Sequence, residues 1–270
     1  MSKKANIAFI LPIFLSSMYK KILASTLASV ALLGAGCQSV MTTDVPEKTT
    51  TTSTTSAEIN TTGKVIFSVT GASLPINNIT EVDLLIRKIE MHSTATGWIT
   101  VTSTPITFHL SELKAKNALA LAGSVDVLPG TYNQVRVTVG TVKVLLTNGT
   151  TINAKVPSNE IKLIGKIEVT SNTTSTVQLD FLADASLHVT GSGQYIFAPV
   201  IKMESRSNTN VTFPSPNRLE VMGGANAHIV TQGMDLRGEM KEDFRIDKSD
   251  ELKLEDGVLK MKNGDAINIK

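Results

Sequence analysis

Apolar and polar residues alternate along much of the chain after residue 63. Runs in which every second residue is apolar occur at 65–69, 135–139 and 177–181. A period of two is typical of a strand with one buried face. Many short runs of this kind, separated by frequent turn signals, predict a mainly β fold, either a sandwich or a barrel.

Turn dipeptides indicate where these strands reverse. Asn148-Gly149 separates two β-rich runs, and Asp256-Gly257 and Asn263-Gly264 do the same near the C-terminus. Asn or Asp followed by Gly favours a hairpin because these residues accept positive φ. Pro129-Gly130 predicts a further turn before a strand.

One segment favours a helix instead. Ser111 has the chemistry of an N-cap for a short helix over 112–122, and Gly123 that of its terminator. Ser111 and Lys114 also share the Ser-x-x-Lys spacing of penicillin-recognising enzymes. The companion Ser-Asp-Asn and Lys-Thr-Gly motifs are absent from the sequence, so capping is the preferred interpretation.

The N-terminal segment has the pattern of an export signal. Lys20 and Lys21 precede an uncharged apolar stretch over 22–36, which ends in small residues before Cys37. This pattern is typical of a secretory signal, and the stretch is too short to span a membrane. Cys37 stands where bacterial-type lipoproteins carry their acylated cysteine. We expect a lipoprotein signal over 1–36, with Met18 as its true start, and a protein exported and lipid-anchored to a cell membrane or outer membrane.

Composition extends this interpretation. Cys37 is the only cysteine, so no disulfide framework is expected. Residues 37–62 are rich in Thr and Ser and predict a lipidated flexible linker. Removing the four basic residues before Cys37 leaves 22 basic against 24 acidic residues, a net charge of −2. No nucleic-acid partner is therefore expected.

The chain after the linker resembles a family of prokaryotic surface lipoprotein domains, domain of unknown function 4382. The resemblance rests on pieces that occur in the family's order: GKVIFSVT (63–70), ITEV (79–82), IEMH (89–92), GWITV (97–101), LPGTYNQVR (128–136), EIKL (160–163), LDF (179–181) and GQYIFAPVI (193–201). It implies a transthyretin-like or Ig-like β-sandwich behind a lipobox, and no established activity. The family usually carries Asp where this chain has Gly71.

The predicted organisation therefore has four parts. They are the signal (1–36), the linker (37–62), a β-sandwich domain with one short helix (63–204), and a charged β-hairpin tail (205–270). The tail follows a Pro-containing boundary at 213–216 and is expected to form a small β-meander.

Candidate chemistry is sparse, and no catalytic residue, metal site or cofactor is predicted. The four histidines lack the short spacing of zinc ligands. Ser186, His188 and nearby Asp180 or Asp184 could form a triad or a cation site, but solvated strand-end acids are the preferred interpretation. Trp98 and Tyr195 are candidate ligand-binding aromatics, although a core or corner role is preferred for these and for Tyr132. Glycosylation sequons, relevant in an archaeal source, are at Asn60, Asn78, Asn148, Asn172 and Asn210.

Three functions fit these features. The first is a non-enzymatic surface module for adhesion, envelope structure or complex assembly, with envelope proteins or glycans as partners. The second is a glycan- or solute-binding lipoprotein, which would group Trp98 and Tyr195 in one concave patch. The third, an envelope hydrolase, would need Ser186, His188 and an Asp together in a pocket.

Overall fold

The computed structural model describes residues 61–71, 78–248, 251–255 and 258–261. Within them, the strands and helices follow in the order β1 (Gly63–Gly71), β2 (Ile79–Ser93), β3 (Gly97–Thr102), β4 (Ile106–His109), α1 (Leu110–Ala115), β5 (Leu119–Val127), β6 (Gly130–Leu146), β7 (Thr151–Ala154), β8 (Glu160–Val169), β9 (Thr174–Phe181), α2 (Ala183–Ser186), β10 (Leu187–Val189), β11 (Tyr195–Phe197), β12 (Val200–Ser215), β13 (Arg218–Met234), β14 (Met240–Glu242), β15 (Leu252–Glu255) and β16 (Val258–Met261). Neither helix in this part of the chain is long and apolar enough to cross a membrane.

Two large sheets form the body of the domain. The first has the order β12-β9-β1-β5-β13-β14, and the second has the order β3-β2-β6-β7 with β4 also on β2 and β8 also on β6. A single apolar core contains residues from both sheets, such as Phe67 and Phe181 from the first and Met91 and Leu163 from the second. The predicted mainly β, sandwich-type fold is therefore confirmed.

The first sheet closes on itself. β12 and β13 form a long hairpin, from Val200 opposite Gly233 to Ser215 opposite Arg218. At the tip of this hairpin, Arg218 and Leu219 also pair with β5. The strands β12, β9, β1, β5 and β13 therefore make a closed ring, which we call the β-ring.

Ring closure explains a departure from simple alternation in β1. Val65, Phe67 and Val69 are fully buried in the core, as the pattern predicts. Ile66 and Ser68, on the opposite face, are also almost fully buried, at 4% and 1% exposure. The hairpin covers this second face, so β1 is buried on both sides.

The helix prediction is wrong in both its length and its cap. Helix α1 ends at Ala115, and β5 begins at Leu119 within the segment expected to be helical. Pairing with β1 places Ala120 opposite Val69, and this tertiary pairing overrides the helix propensity of alanine. Ser111 lies inside the helix, and its side chain forms no capping hydrogen bond.

A glutamate from β2 satisfies the helix N-terminus instead. The Glu81 carboxylate accepts hydrogen bonds from the Ser111 N–H (Oε1, 2.8 Å) and the Glu112 N–H (Oε2, 3.1 Å). Oε1 also accepts the Val82 N–H at 2.9 Å. Glu81 therefore joins β2 to α1 through two donors of the first helical turn.

The hairpin signals coincide with turns wherever the structure describes them. β6 and β7 are joined across Asn148-Gly149, with Gly149 at φ +82°. β15 and β16 pair from Leu252–Met261 to Glu255–Val258, as the predicted hairpin requires, and Asp256-Gly257 between them lies outside the described residues. Asn263-Gly264 lies outside the described residues.

The expected domain boundary at 204/205 falls inside a strand. β12 runs from Val200 to Ser215 and pairs with β9 on both sides of this point. Residues from the segment expected to be a tail, including Val230 and Met234, belong to the main core. A smaller cluster joins Phe244, Ile246 and Leu252 to Ile196 and Ala198.

Candidate functional site

The outer face of the second sheet carries an exposed row of side chains. Strand register places Trp98 opposite His92, His92 opposite Gln134, and Gln134 opposite Ile164. We call these four residues the outer row. Trp98 is 38% exposed and Ile164 is 69% exposed, so large apolar groups stand at both ends. Four strands about 4.8 Å apart make the row about 14 Å wide.

Arg136 fixes the orientation of Trp98. Its guanidinium carbon lies 3.8 Å from the centroid of the indole ring, within the range of a cation–π contact. The His92 ring packs against the same indole at 4.9 Å, tilted by 50°. Contacts with Arg136 and His92 therefore hold the Trp98 ring in place while part of it stays exposed.

Acidic side chains on the same face hold Arg136 in place. Glu90 Oε2 lies 3.8 Å from Arg136 Nη1, and Glu160 Oε2 lies 3.9 Å from Arg136 Nε. Lys88 and Lys162 pair with the other oxygens of these two acids, at 2.7 Å and 3.1 Å. The outer row is therefore bordered by charges of both signs.

Tyr195 does not share a patch with Trp98. It is 6% exposed and belongs to the main core, where its hydroxyl accepts a hydrogen bond from Asn78 Nδ2 at 3.4 Å. Asn78 immediately precedes β2, whereas Trp98 pairs with His92 near the other end of this 15-residue strand. The two aromatics therefore lie towards opposite ends of β2, a strand that can span at most about 50 Å.

Tyr132 has the corner role that the sequence favours. Its ring is 1% exposed, and its hydroxyl donates a hydrogen bond to the Leu128 carbonyl at 3.0 Å. A buried tyrosine bonded to the backbone four residues upstream is the arrangement of a tyrosine corner.

Ser186 is not placed as a nucleophile. Its hydroxyl donates to the Leu182 carbonyl at 2.6 Å and accepts the Val200 N–H at 2.8 Å. Ser186 is fully buried. Because it bonds to backbone groups on both sides, it links the end of helix α2 to the start of β12. Both hydrogen-bonding roles of the hydroxyl therefore serve the backbone.

The acids and histidines of the described segments do not converge on a metal. The histidines lie on four different strands, and no group of three or more His, Cys, Asp or Glu side chains in this part of the chain could hold a metal ion. Asp180 is half-buried, and this burial raises its pKa although Lys114 and Lys202 oppose the shift. Asp180 is therefore a partly desolvated acid with two lysines near it.

The described sequon asparagines are all exposed. Asn78, Asn148 and Asn172 lie at turns, whereas Asn210 lies within β12 and so departs from the expected loop position. Cys37, the linker up to residue 60 and Asn60 lie outside the described residues.

A polar cavity inside the β-ring escaped sequence reasoning. Its volume is about 120 Å³, and it is lined by Ser68, Leu119, Thr176, Gln178, Glu204, Arg206 and Val221. These residues come from all five strands of the ring, and no local motif marks any of them. We call this space the ring cavity.

The fold defines a β-sandwich protein with an exposed aromatic row and a small polar cavity. The family model described as "Domain of unknown function (DUF4382)" matches residues 62–199. The chain belongs to this family. No curated protein and no solved structure matches it.

Proposed function

We propose that this is a lipid-anchored envelope protein that displays a non-catalytic β-sandwich for adhesion, envelope structure or complex assembly. The outer row is the observation that carries the proposal. Tryptophan and arginine are enriched among residues that dominate binding energy at protein interfaces. Here the two are already stacked, with a guanidinium-to-ring distance of 3.8 Å, so little conformational entropy remains to be lost on binding.

The composition of the outer row favours a protein partner over a glycan. A sugar ring stacks on a bare aromatic face, but Arg136 covers one face of Trp98 and His92 packs tilted against the ring. Exposed Ile164 extends the apolar contact, and the surrounding acids and lysines resemble the polar rim of an interface.

Cross-linking on intact cells tests this surface. The Trp98→Ala and Ile164→Ala variants are compared with Met222→Ala, a control whose side chain is 51% exposed on the β12–β13 hairpin. Envelope proteins cross-linked to the wild type and to Met222→Ala should be lost from both outer-row variants. Equal recovery from all four proteins would show that the outer row is not the interface.

The anchor is tested separately. Cys37 would carry acyl chains, each buried methylene contributing about 0.8 kcal/mol to membrane binding. Cells are labelled with a fatty-acid analogue, and the wild type is compared with Cys37→Ala. We expect the variant to lose the label and to appear in the medium. An unlabelled wild type retained in the cytoplasm would contradict the proposal.

A second candidate function is binding of a glycan or solute by the same anchored protein. The ring cavity favours it, because a small polar space is suited to a solute. Glycan-array binding that disappears in Trp98→Ala would move the preference towards glycan recognition at the outer row.

A further inference from the structure

We propose that the ring cavity binds a small neutral polyol through vicinal hydroxyl groups. The site is separate from the outer row and independent of the lipid anchor. Its lining combines a buried hydroxyl, an amide and an ion pair, all on one face of three neighbouring strands.

Strand register aligns the polar lining in two rows. Ser68 is opposite Gln178, and Gln178 is opposite Glu204, so one row crosses β1, β9 and β12. Two residues along, Thr176 is opposite Arg206 in the next row. Side chains two residues apart on a strand share a face, so both rows point into the β-ring.

Ser68 gives the independent evidence for a ligand. It is 1% exposed, and no atom of the described residues forms a hydrogen bond with its Oγ. A buried hydroxyl without a partner is costly, because it has lost its hydrogen bonds to water. Here the hydroxyl lines a cavity, so a ligand inside the ring can provide the partner.

The ion pair determines which ligands fit. Glu204 Oε1 accepts a hydrogen bond from Arg206 Nε at 2.5 Å, and the same oxygen lies 2.5 Å from Arg206 Nη2 in an ion pair. The two charges cancel each other. The carboxylate would repel an anion, and the guanidinium would repel a cation. A hydroxyl group both donates and accepts, so a neutral polyol can contact either member without breaking the pair.

The cavity volume limits the size of the ligand. An apolar cavity of about 150 Å³ holds benzene, which has six non-hydrogen atoms. The ring cavity, at about 120 Å³, therefore suits a polyol of about the size of glycerol. The Arg206 side chain is 43% exposed and that of Glu204 16%, so entry is past Arg206 with Ser68 at the floor. A sugar could insert one hydroxyl-bearing edge by the same route.

The test is a titration monitored by methyl NMR. The full chain in detergent micelles is titrated with glycerol, with methyl glucoside as the sugar probe and with acetate as the charged probe. The methyl groups of Leu119 and Val221 line the cavity and report on its contents. We expect glycerol or methyl glucoside to shift them saturably, with a midpoint in the millimolar range typical of so few atoms.

Variants separate specific binding from solvent effects. Ser68→Ala and Thr176→Val each remove a lining hydroxyl and should weaken polyol binding about tenfold or more. Ser103→Ala, at an exposed position between β3 and β4, should bind like the wild type. Ser68→Ala should not lower the melting temperature of the free protein, since the lost hydroxyl had no protein partner.

Three outcomes would overturn the proposal. The first is the lack of a saturable shift with either polyol, which would mean that only water fills the cavity. The second is acetate binding as well as the polyols, which would refute selection of a neutral ligand. The third is an unchanged midpoint in both Ser68→Ala and Thr176→Val, which would place the ligand elsewhere.

Discussion

The cap of helix α1 offers a direct comparison between the sequence pattern and the structure. If Ser111 were the N-cap, Ser111→Ala would cost about 0.5–2 kcal/mol. In the structure its hydroxyl makes no hydrogen bond, and Glu81 instead accepts two N–H groups of the first helical turn, from Ser111 and Glu112. We therefore expect Ser111→Ala to change the free energy of unfolding by less than about 0.5 kcal/mol, and Glu81→Ala to be the damaging change.

The cost of Glu81→Ala follows from its contacts. The carboxylate accepts three backbone N–H groups, two from α1 and one from Val82, at 2.8–3.1 Å. Hydrogen bonds to charged groups contribute about 1.5–3 kcal/mol each when buried, but Glu81 is half-buried and water can replace part of each. About 1 kcal/mol for each of the two helical bonds, and up to the same for the bond from Val82, gives a loss of roughly 2–3 kcal/mol. In a domain of this size, such a loss lowers the melting temperature by about 4–12 °C.

Thermal unfolding of the wild type and the two variants, followed by circular dichroism, measures this difference. Glu81→Gln should give an intermediate value, because one amide oxygen remains as an acceptor and the charge is lost. If Ser111→Ala destabilised the protein as much as Glu81→Ala, the assignment of the cap to β2 would be refuted.

Three further predictions concern buried acids and a glycine. Burial raises the pKa of Asp180. The ionised Asp180 carboxylate therefore destabilises the fold increasingly as pH rises above about 4. Asp180→Asn should raise the melting temperature at pH 7 but not at pH 3. For Asp235, burial alone would raise the pKa, but hydrogen bonds from Lys241 and two backbone N–H groups outweigh it and lower the pKa. The ionised Asp235 carboxylate therefore stabilises the fold fully above about pH 4, and this contribution is lost as pH falls through the folded-state pKa. Asp235→Asn should lower the melting temperature at pH 7, by an amount that shrinks towards pH 2. A Cβ at Gly71 would lie 2.1 Å from the Leu110 carbonyl oxygen, so Gly71→Ala should lower the free energy of unfolding in urea by at least about 1–3 kcal/mol. The control is Gly191→Ala, where a Cβ meets nothing within 4 Å. Equal urea midpoints for the two variants would contradict the predicted clash.

The Gly71 clash also bears on the Asp that the family resemblance implies at this position. The family's usual acid at this position would extend from the same Cβ, and the three nearest atoms all belong to the backbone of Leu110. Neither the helix start nor β1 can yield without losing packing, since Leu110 is fully buried. In this chain, Gly71→Asp should therefore be at least as destabilising as Gly71→Ala.

Local patterns predicted the features that depend on a few neighbouring residues. The alternation over 65–69 gave the core face of β1, and Asn148-Gly149 and Asp256-Gly257 gave two hairpins. The family resemblance predicted the sandwich, which alternation alone could not separate from a barrel.

Patterns failed where distant pairing determined the structure. The segment 118–122 favours a helix on its own, but β1 recruits it as a strand through pairs such as Val69–Ala120. The β-ring depends on Leu219 meeting Leu119, and a contact between residues 100 positions apart has no local signal. The ring cavity was missed for the same reason, because Ser68, Gln178 and Glu204 become neighbours only through strand register.

The central position of β1 has a consequence for the order in which the chain can fold. The strand β1, the first of the described strands to be synthesised, pairs on one side with β9, where Lys64 meets Thr174, 110 residues later in the chain. Until that partner is synthesised, β1 keeps an open hydrogen-bonding edge, and such non-local pairing makes folding slow. The first sheet therefore stays incomplete until the chain has been synthesised through β13, which ends at Met234, whereas the second sheet needs only the segment up to Val169.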